Sequence, residues 1–562
     1  MDRYRVAKTE PFTGWDQLRE DLTLLGPKRL LGLIVQKVHL RMDEDGLRFV
    51  GDTDHSYVNH PILARILIRL ICDGVESPRL HEPTTLDEAA LIVSALRRIN
   101  ALLEARTGDR YIDLSYRSHD RASIRVLRDS WQNTLEAGPR HNTPKAEIGR
   151  TILMLRRFWT EREPDVLKKK GIALRRPLSS AFDDLNHYLW LHILMHQARC
   201  VVDDAKRLLG GTVEPEQLLR VVDFYVPEAD TVVGSWANIE NSDVGLLDNP
   251  FVDEPILRLP DGGLVAPDPG LLFAGLPNRF ICRVIADYVD DESRGEAART
   301  LVGYAFEEYG RSLLASCGAI GGDQFVPEFE LSARGDSPDA FLSHEQTLGQ
   351  FEFKSKRHPR PTPEVLLLSG YRRWLGEVAG ERREQAKPPY QQYVRFLTEW
   401  ANGDAACVAC LGDHADYHVG FYALVSFDGV PLSAHWAHHR ALLWGGDLDP
   451  AQVETDSIAL YLSIAELELL TGIVETAAAE GDDLSALQIL LDWQRWQNAG
   501  PKAVFGHKTF DARGPLRSYL QETYPQRLGE MPSLVDNSFE QAFAGVASQV
   551  YGVALDEVRA DD

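Results

Sequence analysis

A chain of 562 residues, 44% apolar and 26% charged, is too long for one compact core and too ordinary in composition for disorder, low complexity or a repeat array. At about 150 residues per unit, three or four structural units are expected. The formal charge of -24 is a poor match to a polyanionic partner, so any contact with nucleic acid has to come from a local basic track.

Six cysteines, at 72, 200, 282, 317, 407 and 410, are sparse, which favours a reducing compartment over a disulfide framework. The opening MDRYRVAKTEPFTGW lacks the apolar centre of a signal peptide, and no apolar run reaches the length of a membrane span. A cytoplasmic chain with no membrane partner is the expectation.

Residues 1–248 are expected to form a mainly helical N-terminal region. PILARILIRLICDG, LDEAALIVSALRRINALLEAR, AEIGRTILMLRRFWTE and SSAFDDLNHYLWLHILMHQARCVVDDAKRLL all carry apolar residues at three- and four-residue spacing. The Pro-, Gly- and Asp-rich ENSDVGLLDNPFVDEPILRLPDGGLVAPDPG then marks a connection, with a short hairpin at ILRLPDGGLVAP. A second unit follows over 249–430. Its core, at about 296–428, reads as mixed α/β: a helix over EAARTLVGYAFEEYGRSLLAS, strands at QFVPEFELS, DAFLS and GQFEFKSK, helices at VLLLSGYRRWLGEVAGERREQ and YQQYVRFLTEW, and a strand at HVGFYALVSF. From 431 to 562 the helical period returns in IALYLSIAELELLTGIVETAAAE and LSALQILLDWQRWQ, so a helical C-terminal region is expected.

Chemistry is concentrated in SPDAFLSHEQTLGQFEFKSK, from Ser337 to Lys356. Hydrolysis of a phosphodiester requires charge neutralisation at phosphorus, a water made nucleophilic and help for the leaving oxygen, all of which a hard divalent cation supplies. Mg²⁺ is commonly held by one or two carboxylates, waters and the substrate phosphate. Asp339 opens one strand and Glu352 lies within the next, so antiparallel pairing can bring the two together. Glu352 and Lys354, two apart on a strand, leave one face while Phe353 points into the core. Lys354 is then placed to orient water and offset transition-state charge. Beside this motif, residues 354–395 hold ten Lys or Arg against four Glu and no Asp.

Pro338-Asp339, with Glu352-Phe353-Lys354 beginning thirteen positions after Asp339, resembles the signature of the PD-(D/E)xK nuclease superfamily. The resemblance covers about a quarter of the chain. It implies a restriction-endonuclease-like α-β-β-β-α-β core within a multidomain α/β protein, flanked by helical regions. It further implies Mg²⁺ or Mn²⁺ as cofactor, held by Asp339, Glu352, the Phe353 carbonyl and, from the first core helix, Glu307. Some members add a glutamine on the helix after the signature lysine; Gln385, Gln391 and Gln392 are the candidates, and Gln391 is preferred because Pro388 and Pro389 suit a helix start there. Lys356, Arg357, Arg360, Arg372 and Arg373 are expected to contact nucleic acid. The expected function is a metal-dependent nuclease, with internal cutting of DNA the leading form and restriction or anti-phage defence the implied setting. A homo-oligomer or an activating protein partner would fit the acidic whole. The alternative is a non-catalytic nucleic-acid-binding or scaffold subunit of the same fold.

Other constellations carry less. Cys407, Cys410, His414 and His418 stand at C-x₂-C-x₃-H-x₃-H, but the central gap is far shorter than in a zinc finger, and buried thiols are the simpler expectation. His192 and His196 sit one helical turn apart, with Ile193 where a zinc protease places its general-base glutamate. There is no glycine-rich phosphate loop followed by Lys-Ser/Thr, which disfavours NTP hydrolysis.

Overall fold

The computed structural model describes chiefly residues 14–51, 60–75, 181–206, 215–240, 250–272, 294–355, 389–427, 459–498 and 502–530, with short gaps inside several ranges and short pieces at 149–154, 171–175 and 286–290. The architecture is mixed α/β. Among the described residues no helix is long and apolar enough to cross a membrane.

The N-terminal part holds α1 (Trp15–Leu24), α2 (Pro27–Lys37) and α3 (His60–Cys72). Leu63, Ala64, Ile66, Leu67, Ile68 and Leu70 of α3 are all buried, so this helix is covered on every side rather than along one stripe. Within this mainly helical part, β1 (Val38–Asp43) and β2 (Gly46–Gly51) pair as an antiparallel hairpin that the sequence reading did not place. After α4 (Ala181–Gln197), the two-residue β3 (Val201–Val202) crosses to β5 (Leu264–Val265). That strand also pairs with β4 (Leu257–Arg258), giving the hairpin expected at ILRLPDGGLVAP.

The central helix α5 (Arg294–Ile320) buries Ala298, Leu301, Val302, Ala305, Phe306, Tyr309, Leu313 and Cys317, an apolar stripe at three- and four-residue spacing. It stops at Gly321-Gly322, where φ of +73° at Gly322 turns the chain into β6 (Gln324–Pro327). Then follow β7 (Ala340–His344) and β8 (Thr347–Lys354). Past the expected helix at VLLLSGYRRWLGEVAGERREQ, which lies outside the described residues, come α6 (Pro389–Ala401), the short α7 (Ala405–Leu411) and β9 (His418–Ser426).

The five-stranded sheet has the order β10-β9-β8-β7-β6. β6, β7 and β8 are antiparallel, whereas β9 is parallel to β8 and to β10 (Ala459–Ser463). β10 corrects the helix expected over IALYLSIAELELLTGIVETAAAE: the segment begins as a strand and becomes helical only at α8 (Ile464–Ala479), which Ser463 and Glu466 start as a capping box. The sheet therefore continues past the expected boundary at residue 430. α9 (Ala486–Asn498) follows, and Lys502–Phe505 with Lys508–Asp511 forms a further hairpin in the region expected to be helical.

Each face of the sheet buries its own set. Ala340, Leu342, Phe351, Phe353, Ala423 and Val425 join α5 and α8 in the main core, while Phe341 and Leu348 pack with Phe396, Trp400, Cys407 and Leu411 beneath α6 and α7. Two buried polar ties hold the assembly in place. Arg150 donates to both carboxylate oxygens of Glu468 at 2.6 and 2.7 Å, and the Tyr309 hydroxyl adds a third bond at 2.8 Å, linking the N-terminal part to α8 and α5. Asp323, just after α5, accepts the Ser485 hydroxyl and the Leu487 N–H, so it caps α9. Replacing Asp323 with Ala strands both donors in a buried place. The expected cost is about 1–3 kcal/mol, read as a lower denaturation midpoint, with Asp323→Asn losing less.

Candidate active site

Where β7 begins, the ladder with β8 opens. Ala340 pairs with Phe351, so one step back Asp339 stands opposite Glu352, and its side chain takes over the ladder: Oδ2 accepts the Phe353 N–H at 2.7 Å. The Asp339 carbonyl accepts the Glu328 N–H at 3.1 Å and Arg311 Nε–H at 3.0 Å. Only 6% of Asp339 is exposed. Its second oxygen, Oδ1, has Arg311 Nη2 at 3.7 Å, beyond hydrogen-bonding distance.

Glu352 is 2% exposed and lies on the β8 face opposite Phe353. Lys354 Nζ donates to its Oε1 at 2.6 Å, while Oε2 is buried and has no hydrogen-bond partner among the described residues. The two carboxylates are thus treated alike. Each spends one oxygen on being held in place, Asp339 through Oδ2 and Glu352 through Oε1.

Phe353 fixes this strand from behind. Its ring meets Phe306 edge-on at 6.3 Å between centroids and presses on α5 so closely that a Cβ at Gly310 would lie 2.2 Å from the ring. Glu307, one turn before Arg311 on α5, is partly buried and within 4.0 Å of Arg311 Nη2. Burial, then the charge of Asp339, pushes Glu307 up to about 8 against the opposing pull of Lys354 and Arg311. The same two causes push Glu352 up to about 7, again opposed by Lys354. Burial disfavours the Lys354 ammonium, but Glu352, Asp339 and Glu307 outweigh it and raise its affinity for the proton. The centre therefore gathers more negative charge than its own lysine neutralises.

The structure brings Asp339, Glu352, Lys354 and Glu307 into one electrostatic cluster, with the backbone of Phe353 between them. Gln391 lies in the first turn of α6, but its side chain is outside the described residues. Lys356, Arg357, Arg360, Arg372 and Arg373 also lie outside them. Sequence reasoning missed four residues. Arg311 stands four positions after Glu307, the spacing of an ion pair on one helix face, and could have been found that way. Glu328, hydrogen bonded to Arg311 at 2.8 Å, depends on how β6 meets β7 and has no local signal. Gln350 and Tyr422 pair in register on β8 and β9; the Gln350 amide and the Tyr422 hydroxyl are buried without hydrogen-bond partners among the described residues.

Among the described residues, no three His, Cys, Asp or Glu side chains already converge into a metal cage. A cage is not what Mg²⁺ requires, since one or two carboxylates suffice when waters and phosphate complete the shell. Glu352 Oε2, buried and without a hydrogen-bond partner among the described residues, with Asp339 opposite it across the ladder, fits that need. The other metal-like patterns do not assemble. Cys407 is wholly buried in α7 among Phe396, Trp400 and Leu411, and burial, then Asp404, pushes its thiol up to about 12, the wrong direction for a zinc thiolate. His414 packs edge-on against Trp400 at 4.9 Å. His192 is wholly buried on α4, with Nδ1 2.9 Å from the Tyr188 carbonyl.

Comparison with protein-family models, with curated proteins and with solved structures found no match to this chain.

Proposed function

We propose that this chain is a Mg²⁺- or Mn²⁺-dependent nuclease that cuts DNA internally, built on a restriction-endonuclease-like core of the PD-(D/E)xK kind. The observation that carries the reading is the pair of anchored carboxylates, with Asp339 tied through Oδ2 to the Phe353 N–H and Glu352 through Oε1 to Lys354. The remaining oxygens, Asp339 Oδ1 and Glu352 Oε2, are the ones offered to a cation, and the Phe353 carbonyl and Glu307 are the further ligands in reach of the same cluster. The bound cation would supply neutralisation at the phosphate and a lowered pKa for the attacking water.

The chain's own groups account for the rest. The Phe353 amide and Lys354 fix the carboxylate directions before substrate arrives, which removes a reorganisation cost from the reaction step. Lys354, hydrogen bonded to Glu352 Oε1, is the residue that would hold the attacking water and offset charge on the non-bridging oxygens. Lys356, Arg357 and Arg360 follow Lys354 directly in the chain, and with Arg372 and Arg373 they form the proposed backbone-contacting track. The parallel β8-β9 pair fits the same fold, because it requires a crossover of many residues, and α6 supplies part of it.

The test is cleavage of plasmid, circular single-stranded DNA and RNA with Mg²⁺, Mn²⁺ or EDTA, using wild type, Lys354→Ala and Asp339→Ala. Metal-dependent linearisation of the DNA circles, lost in both variants, is expected. Equal cutting by all three proteins, or metal-independent cutting, would reject the assignment.

A further inference from the structure

Arg311 occupies a place that the proposed reaction does not explain. Its guanidinium sits within 4.0 Å of four carboxylates: Glu328 at 2.8 Å, Asp339 at 3.7 Å, Glu308 at 3.8 Å and Glu307 at 4.0 Å. Two of these approaches are hydrogen bonds, from Nη2 to Glu328 Oε2 and from Nε to the Asp339 carbonyl. The nitrogen bonded to Glu328 is Nη2, and the same nitrogen stands 3.7 Å from Asp339 Oδ1, beyond hydrogen-bonding distance. Its side chain is 14% exposed, so water screens these charges poorly. The guanidinium is therefore anchored at the acidic centre, close to Asp339 Oδ1 but hydrogen bonded elsewhere.

We infer that Arg311 is a tethered counter-ion of the acidic centre: it holds the metal-free cluster together and competes electrostatically with the divalent cation that the centre takes up. The inference rests on the reading of this centre as a metal-dependent nuclease. Glu328 and the Asp339 carbonyl act as the tether. They keep the guanidinium from forming the bidentate pair with Asp339 that Arg and carboxylate otherwise favour, and a bidentate pair there would close the site. The arrangement sets a threshold. Cation binding has to overcome a fixed positive charge, so uptake is weak until a phosphate group brings further negative charge and ligands to the same place. A nuclease built in this way stays largely unloaded on its own and loads together with its substrate.

The experiment is calorimetric titration of Mn²⁺ into wild type, Arg311→Ala and Arg311→Lys, without nucleic acid, alongside the thermal midpoints of the metal-free proteins. Arg311→Ala is expected to bind Mn²⁺ at least about tenfold more tightly, because a unit charge a few ångströms from a divalent ion is poorly screened at this depth. Its metal-free midpoint should fall, since the carboxylates then repel one another. Low-millimolar guanidinium, far below denaturing levels, should restore both properties toward wild type by refilling the vacated place. Unchanged or weaker Mn²⁺ affinity in folded Arg311→Ala would overturn the inference. Should that variant not fold, Arg311→Lys serves: its point charge cannot span both anchors, so tighter Mn²⁺ binding supports the tether and unchanged binding overturns it. The two readings separate cleanly. Wild type that binds Mn²⁺ with no change on removing Arg311 leaves the nuclease reading standing and defeats the counter-ion. Mn²⁺ binding that emerges only in Arg311→Ala supports the counter-ion and leaves the nuclease reading to the cleavage assay, and binding by neither folded protein overturns the counter-ion.

Discussion

Substituting Gly310 with Ala is expected to disable the centre without touching any of its polar groups. On helix propensity alone the change should stabilise α5 by about 1 kcal/mol. The added methyl, however, would lie 2.2, 2.4 and 2.7 Å from three ring carbons of Phe353. Contact this close cannot be relieved by moving the tip of a flexible chain, because one whole edge of a rigid ring is met, and that ring is wholly buried against Phe306. Overpacking of this kind costs about 1–3 kcal/mol or more, so the net effect should be a loss of stability despite the better helix former. The larger consequence is geometric. Pushing Phe353 away moves the backbone that bonds Asp339 and carries Glu352 and Lys354 on either side. A displacement of about 1 Å at such a place can reduce turnover about a hundredfold. Thermal unfolding and metal-dependent cleavage should therefore fall together in Gly310→Ala, and Phe353→Leu in the same chain should restore part of both. An unchanged unfolding midpoint in the single variant would show that the ring has room, and would remove Gly310 from the account of how β8 is positioned.

This dependence of the centre on a long-range contact explains what the amino-acid order made legible. The Glu-Phe-Lys triplet could be read because strand alternation is strictly local: whichever face buries Phe353, its neighbours leave by the other. α5, β7, β8, α6 and β9 were readable from equally local periods of four, three and two residues. β10 was not, since the apolar spacing of the following helix extends back through Ala459–Ser463 and hides the change of period. The corrective signal was present in Ser463 and Glu466, whose capping box marks where the helix can begin. The hairpin at Val38–Gly51 carried a signal, since VHLRMD alternates apolar and polar residues, and was passed over; the short strands at Lys502–Asp511 lack strong alternation. Within the centre, the limit is reach. Arg311 announces itself through its spacing from Glu307, but Glu328 arrives only because the chain between β6 and β7 folds back to bond Asp339. Gln350 and Tyr422 lie within apolar strands and become notable only once both are seen buried without hydrogen-bond partners among the described residues.

Lys354→Met and Glu352→Gln should each abolish metal-dependent cleavage, by about a thousandfold or more if water positioning and charge stabilisation are both lost, yet their effects on stability should differ in kind. Glu352 is 2% exposed and its one direct partner among the described residues is the Lys354 ammonium. Removing Lys354 leaves a buried carboxylate beside Asp339, a change that typically costs about 3–5 kcal/mol when the remaining charge cannot escape. It can escape by taking up a proton. Glu352 already lies at about 7 in the presence of Lys354, raised by burial and by Asp339, and losing the lysine moves it further in the same direction. A carboxyl raised in the folded state binds protons there that the unfolded chain has released, so stability is retained at low pH and lost as pH rises from the ordinary carboxylate range through the raised value. Lys354→Met should accordingly approach wild-type stability near pH 5 and fall progressively behind it toward pH 8. Glu352→Gln should show a flatter dependence than wild type, and the double variant should recover most of the stability lost at pH 8 while remaining inactive. A Lys354→Met deficit that is the same at pH 5 and pH 8 would mean that the ammonium contributes through packing alone. In that case Glu352 would not be the proton-accepting member of the pair, and the placement of a cation between Glu352 and Asp339 would lose its electrostatic basis.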